Sequence, residues 1–151
     1  MTWLNQQKPV FNDGTTFSGV IKILEAGSQK QILNLLDDLA FVFEVEGNNL
    51  PNSQELIKYL LNNVFKLSDD NIQKGYLEAL YYGTGHCDCM DISMEIVENN
   101  LDKLSGINLY YAIYILGNNF DDKYLSIFEK YLADPDEVVS KAAKNVLDTW
   151  G

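Results

Sequence analysis

The sequence contains no arginine. All 11 basic residues are lysine, set against 22 aspartates and glutamates, for a formal net charge of −11. That balance argues against nucleic acid as a direct ligand, because phosphate binding needs a positive surface. Bidentate guanidinium recognition of carboxylate or phosphate is unavailable, and an anionic membrane surface repels such a chain. Histidine occurs once, at position 86, which restricts acid–base chemistry near neutral pH. Two cysteines, Cys87 and Cys89, make no disulfide framework. Long apolar runs are also missing. The longest mostly apolar stretch, Leu109–Leu116, falls far short of the roughly 20 residues that cross a bilayer. The opening MTWLNQQKPVFNDG lacks a basic segment followed by an apolar one, so no secretory signal is expected. These absences predict a soluble, cytoplasmic protein with no membrane partner.

What is present suffices for a core. The chain has 151 residues, 46% of them hydrophobic, and a domain of this size buries roughly 68–70% of its unfolded surface. One domain over 1–151 is expected. Residues 1–15 show no period: Pro9 interrupts any helix, and Asn12-Asp13-Gly14 reads as a turn. They form a short irregular arm, with Trp3, Val10 and Phe11 expected to tuck against the first helices.

From there the apolar spacing is helical almost to the end. Eight segments are predicted, at about 16–26, 29–45, 53–66, 69–82, 90–103, 107–117, 121–133 and 135–149. In the second, Ser28 is the expected cap and Ile32, Leu35, Leu36, Leu39 and Phe43 mark the 3.6-residue period. Ser68 is the expected cap of the fourth, with Asp69 and Asp70 in its first turn. Pro135 is placed in the first turn of the last. No segment alternates with period two, so the fold class is all-α, and the short connectors imply antiparallel neighbours.

Internal similarity narrows the architecture. Residues 124–147, YLSIFEKYLADPDEVVSKAAKNVL, read as a helix, the turn Asp134-Pro135-Asp136, Val138-Val139, the small pair Ala142-Ala143, then Val146-Leu147. This resembles the HEAT-like repeat of α-solenoid proteins. Ser140 or Lys141 stands where that family usually has arginine, and Asp148 where it usually has glycine. Weaker copies of the repeat's end occur at Ala112-Ile113 with Leu116-Gly117, and at Ala79-Leu80 with Gly83, with an irregular spacing of roughly 30–37 residues. The resemblance implies a right-handed α-solenoid of about four stacked antiparallel helix pairs. One pair cannot bury its apolar face alone, and stacking makes the core continuous.

Chemistry-bearing motifs are few. His86-Cys87-Asp88-Cys89 is contiguous, whereas zinc takes spaced ligand pairs; a solvated loop with one buried thiol is expected there, and neither metal nor cofactor. Recurrent acidic pairs, Asp37-Asp38, Asp69-Asp70 and Asp121-Asp122 among them, mostly read as helix caps and dipole partners. There is no nucleophile motif, phosphate loop or catalytic residue set, so no enzyme is expected. The tyrosines are more informative. With Leu109, Ala112, Ile113 and Leu116 in the core, Tyr111, Tyr114 and Asn118 point the other way. With Ile72, Tyr76, Ala79 and Leu80 in the core, Lys74, Glu78 and Tyr81 do so. The resemblance implies that second helices line a concave face. Glu78, Tyr81, Tyr111, Tyr114 and Asn118, with Asp121 and Asp122 nearby, are the predicted partner-binding residues, since tyrosine is a preferred interface anchor; the rival expectation packs these rings between helix pairs. Size, charge and repeat together resemble a bacterial toxin-immunity protein, a cytoplasmic inhibitor that is monomeric apart from a basic toxin domain such as a nuclease. The alternatives are a general HEAT-like scaffold or adaptor, and a small carboxylate-dependent hydrolase.

Overall fold

The computed structural model describes residues 16–150. The irregular arm expected over 1–15, with Trp3, Val10 and Phe11, lies outside the described residues. Among those described, every regular element is helical: α1 (Thr16–Ala26), α2 (Gln29–Glu46), α3 (Ser53–Asn63), α4 (Asp70–His86), α5 (Glu95–Glu98), α6 (Gly106–Asn119), α7 (Leu125–Tyr131) and α8 (Glu137–Trp150). Short 3-10 turns follow α2 and α3 and precede α6 and α7. The chain gathers into two compact units that divide between Cys89 and Met90.

The first unit is built on α2. Ser28 opens it as read from sequence, through a capping box: its hydroxyl accepts from the Gln31 N–H at 3.2 Å, and the Gln31 side chain accepts from the Ser28 N–H at 2.9 Å. Ile32, Leu35, Leu36, Leu39 and Phe43 are all buried. The most extensive packing in the unit joins α2 to α4. Gln29 donates to the Asp69 carboxylate at 2.7 Å. Further along, Leu36 lies against Gly75 and Phe43 against Gly83, Gly47 meets the His86 carbonyl, and the Asp88 N–H donates to Asn48 at 2.7 Å. Each partner lies 39 or 40 positions after its mate. The two helices therefore run side by side in the same direction, and α3 carries the chain back between them. Gly47 ends α2 at φ 53°, where a Cβ would stand 2.7 Å from the His86 carbonyl oxygen; only glycine fits that approach.

The second unit repeats the scheme on a smaller scale. Asn145 of α8 donates to the Tyr114 hydroxyl of α6 at 2.9 Å, Gly117 lies against Val146, and the Phe120 and Trp150 rings are 5.5 Å apart. These pairs are 29 to 31 positions apart, so α6 and α8 are also parallel, with α7 returning the chain and packing on α8. The first unit's separations exceed the 30–37 read from sequence and the second unit's sit at its lower edge, in keeping with α2 and α4 (18 and 17 residues) being longer than α6 and α8 (14 each). Ala142 and Ala143 are fully buried, together with Tyr124 and Phe128.

Several boundaries differ from the sequence reading. The fourth helix continues to His86 rather than ending at 82. Gly83 there is a packing residue, not a stop, and the Thr84 hydroxyl bonds the Leu80 carbonyl at 2.7 Å. Its cap is Asp69, not Ser68, with the carboxylate accepting from the Asn71 and Ile72 N–H groups. The segment expected over 90–103 forms one turn at Glu95–Glu98 and a 3-10 turn at Leu101–Lys103; Asn100 donates to the Ile96 carbonyl at 2.7 Å and closes the helix early. Pro135 precedes the last helix instead of sitting in it. Asp136 takes the cap, accepting from the Val138 N–H at 2.9 Å.

A Cβ on Gly117 would come within 2.8 and 3.0 Å of the two Val146 methyl groups. Alanine's higher helix propensity gains about 1 kcal/mol, but overpacking against a stiff β-branched side chain costs about 1–3 kcal/mol. Gly117→Ala is therefore expected to lower the melting temperature by a few degrees in thermal denaturation; an unchanged or raised value would contradict this packing.

Candidate functional site

In the first unit, a groove of about 240 Å³ runs between α2 and α4, lined by Leu33 and Asp37 on one side and Asn71, Lys74, Gly75 and Glu78 on the other. Both helices are held in register by the contacts along their length, so these side chains project from a rigid frame. Glu78 and Tyr81, singled out from sequence, are half-buried on α4, and the Tyr81 ring centroid lies 5.0 Å from that of Tyr82. Ile72, expected in the core stripe, is only half-buried, since it falls in the first turn of α4.

Across the groove stands Asp37, which the sequence reading assigned no binding role. Burial and the Glu78 carboxylate push its carboxyl above the ordinary 3.8, partly offset by Lys74. Asp38 is buried, and its Oδ2 has no hydrogen-bond partner among the described residues. Burial, then the Asp37 charge, raises it in turn. This acidic pair sits mid-helix, where a cap or dipole role does not apply. Phe41, one turn beyond Asp37, is 43% exposed. The apolar spacing held that signal: at 100° per residue Phe41 lies opposite the stripe formed by Ile32, Leu35, Leu36, Leu39 and Phe43.

In the second unit, Leu109, Ala112, Ile113 and Leu116 are buried as predicted, and Tyr111, Tyr114 and Asn118 form a half-buried stripe on α6. The Tyr114 hydroxyl accepts from Asn145, and the Tyr110 ring packs edge-on against Tyr111 and Tyr114, at 5.3 and 4.9 Å. Asp121 caps the following turn, accepting from the Lys123 N–H at 3.1 Å, with Lys123 Nζ 3.8 Å from its other oxygen. The Asp122 carboxylate accepts from the Trp150 indole at 2.9 Å. Phe120 is 58% exposed at φ 56°, a backbone conformation costly for a bulky residue. The sequence reading did not single out Tyr110, which lies beside the stripe on α6, or Phe120 and Trp150, which meet only through the packing of α6 on α8. Of the predicted binding residues, Glu78 and Tyr81 belong to the first unit, and Tyr111, Tyr114, Asn118, Asp121 and Asp122 to the second.

The cysteine segment differs from expectation. His86 ends α4, and both Cys87 and Cys89 are buried, not one. The Asp88 backbone is pinned on both sides, its N–H by Asn48 and its carbonyl by Gln54 at 3.0 Å. Burial raises both thiols: Cys87 against a lowering hydrogen bond with Ser53, and Cys89 to about 12, with Cys87 and Asp88 adding to the rise. Among the described residues no group of three histidine, cysteine, aspartate or glutamate side chains could hold a metal ion.

Two measurements follow from these environments. Asp37 and Asp38 titrate higher folded than the ordinary 3.8, so the folded chain binds more protons than the unfolded one just above that value. Their contribution to stability is therefore greatest when protonated and falls as pH rises through the raised values. As pH is lowered towards the ordinary 3.8, these two groups should add stability, so the melting temperature of Asp37→Asn with Asp38→Asn should gain less from that acidification than the native chain's does; an equal response in the variant would refute the assignment. For the thiols, alkylation of the native protein at neutral pH should be slow and should follow unfolding. Rapid modification of Cys89 in the folded state would contradict its burial.

Neither a family model, nor a curated protein, nor a solved structure matches this chain.

Proposed function

We propose that the chain is an acidic helical-repeat protein that binds a basic protein, and within that class an immunity protein that neutralises a basic toxin domain, such as a nuclease, in the bacterial cytoplasm. The observation that carries the reading is the charge: a net −11 with no arginine, spread over a scaffold whose α4 and α6 carry half-buried tyrosines on their non-core stripes. Complementary charge speeds encounter and selects the partner. Aromatic rings with a polar tip then supply area and a hydrogen bond. The protein acts by occlusion rather than catalysis, and is monomeric apart from its partner.

The same reading extends the fold. Parallel α2 and α4 with α3 between them, and parallel α6 and α8 with α7 between them, are what stacked helix pairs require. We infer that they are successive second helices of a right-handed HEAT-like solenoid of four pairs, and that these second helices present the binding face.

The test is kinetic. The partner to be tested is a lysine-rich C-terminal domain sought in the reading frame beside this one, and binding is followed by surface plasmon resonance. Tyr111→Ala and Tyr114→Ala should chiefly raise the dissociation rate, each at a cost of about 2 kcal/mol. Asp121→Lys should chiefly lower the association rate, an effect blunted by added salt; Asp122 is left intact because it holds Trp150. Failure of such a domain to bind, or tyrosine variants that bind unchanged, would overturn the reading. Tyrosine variants that melt several degrees early would place the rings in the core instead.

A further inference from the structure

The segment that leaves α4 carries an inference independent of the partner reading. Exposure alternates along it: His86 is exposed, Cys87 buried, Asp88 exposed, Cys89 buried and Met90 exposed. Cys87 has φ −114° and ψ 154°, the extended conformation, in which side chains two positions apart share a face. Both thiols therefore enter the first unit side by side. The segment is held in that form, since Asn48 accepts from the Asp88 N–H at 2.7 Å and Gln54 donates to the Asp88 carbonyl at 3.0 Å. We propose that Cys87 and Cys89 form a two-coordinate site for monovalent copper. Separation decides what the pair can do. An extended chain rises about 3.3 Å per residue, so the two Cβ atoms stand roughly 6–7 Å apart. A disulfide needs about 3.5–4.5 Å, which the pinned segment does not allow. A thiolate–metal–thiolate bridge spans more, because two bonds of about 2.3 Å in line put the sulfurs about 4–5 Å apart.

Ligand count then selects the ion. Thiolates favour monovalent copper, zinc and iron–sulfur clusters. Structural zinc and iron–sulfur sites take four ligands, whereas the chain has two cysteines and, among the described residues, no third histidine, cysteine, aspartate or glutamate joins them. Monovalent copper, with a filled d shell, is satisfied by two sulfurs in line. The contiguity that argues against zinc is no obstacle to it. A copper bound by two thiolates carries one negative charge, and the surroundings suit that charge. Ser53, itself buried, hydrogen-bonds Cys87 in the sense that favours the thiolate. Ser53 is also the first residue of the 11-residue α3, and a helix start favours an anion. Burial keeps the free thiols protonated; the metal supplies the charge that displaces those protons. One cation enters, one proton leaves each sulfur, and nothing is oxidised.

The experiment uses the full chain, reduced and held under argon. Monovalent copper is supplied as its acetonitrile complex against bicinchoninate as a competing chelator. One copper per chain is expected, with thiolate-to-copper charge-transfer absorbance in the ultraviolet, while zinc at the same concentration is not retained. Because both thiols release a proton, affinity should rise about a hundredfold per pH unit below neutral; a rise of only about tenfold would mean a single thiol and would overturn the pair. Cys87→Ser and Cys89→Ser should each abolish binding. Ser53→Ala should weaken it about tenfold, at an unchanged melting temperature without metal. Copper should raise the melting temperature of the native chain, as a ligand of the folded state does. A lowered temperature would mean that thiols are captured from the unfolded chain, and it would overturn the site whether or not the serine variants fold. Copper retained by either serine variant, zinc bound as firmly, or a disulfide between Cys87 and Cys89 formed by diamide in the folded chain would each overturn it too.

Discussion

Close approach of parallel helices is the constraint on which each unit depends. Gly75 and Gly83 let α4 lie against Leu36 and Phe43 of α2, and Gly117 lets α6 receive Val146 of α8. Where a larger residue would hold the axes apart, these positions bring main chain and side chain into direct contact, and the apolar stripes close with little void. The returning helices, α3 and α7, are shorter and fill the space behind. The placing of Asp37 opposite Lys74 and Glu78 follows from that pairing. Once α2 and α4 are fixed side by side, the residues flanking the seam must face each other whether or not their charges suit.

That is how two carboxylates come to confront one another across a groove. Asp37 occupies the middle of α2, far from the helix start where an acidic side chain finds favourable backbone N–H groups. Its neighbour Asp38 is buried, and with Asp37 it raises the local cost of negative charge. Elsewhere the acids are used economically: Asp69, Asp121 and Asp136 each cap a helical turn through hydrogen bonds to backbone N–H groups, and Asp122 holds an indole. The contrast separates carboxylates that complete the fold from Asp38, whose Oδ2 is buried without a hydrogen-bond partner among the described residues.

The helices themselves were legible. The spacing of Ile32, Leu35, Leu36, Leu39 and Phe43, with Ser28 before it, identifies α2 to within a residue, because period and cap agree. The end of α4 was not legible, since Gly83 looks like a terminator in sequence while its role depends on Phe43, 40 positions away. The helix around Glu95–Glu98 was overestimated for a related reason: Ile92 before it and Leu101 in the 3-10 turn after it are buried outside the α-helix, and burial without a helix leaves the same apolar trace. Of the candidate surface, the stripe of Tyr111, Tyr114 and Asn118 came from angular position alone. Phe41 is equally readable from its angle, opposite the apolar stripe of its own helix. The partnership of Asp37 with Glu78 was out of reach, because it arises from the pairing of two helices that only their tertiary packing defines.

The regular separation of partners along the chain has a consequence for how the protein acquires its structure. In the first unit, contacts from Gln29–Asp69 to Asn48–Asp88 all close loops of about the same length. Loop-closure entropy rises only by about 0.6 kcal/mol per doubling of length, so once the first of these pairs has formed, the rest follow as a zipper. Such modest sequence separation favours rapid folding over slow searching. The unit also ends at Cys89, so α2 and α4 can consolidate while the residues of α6 and α8 are still leaving the ribosome.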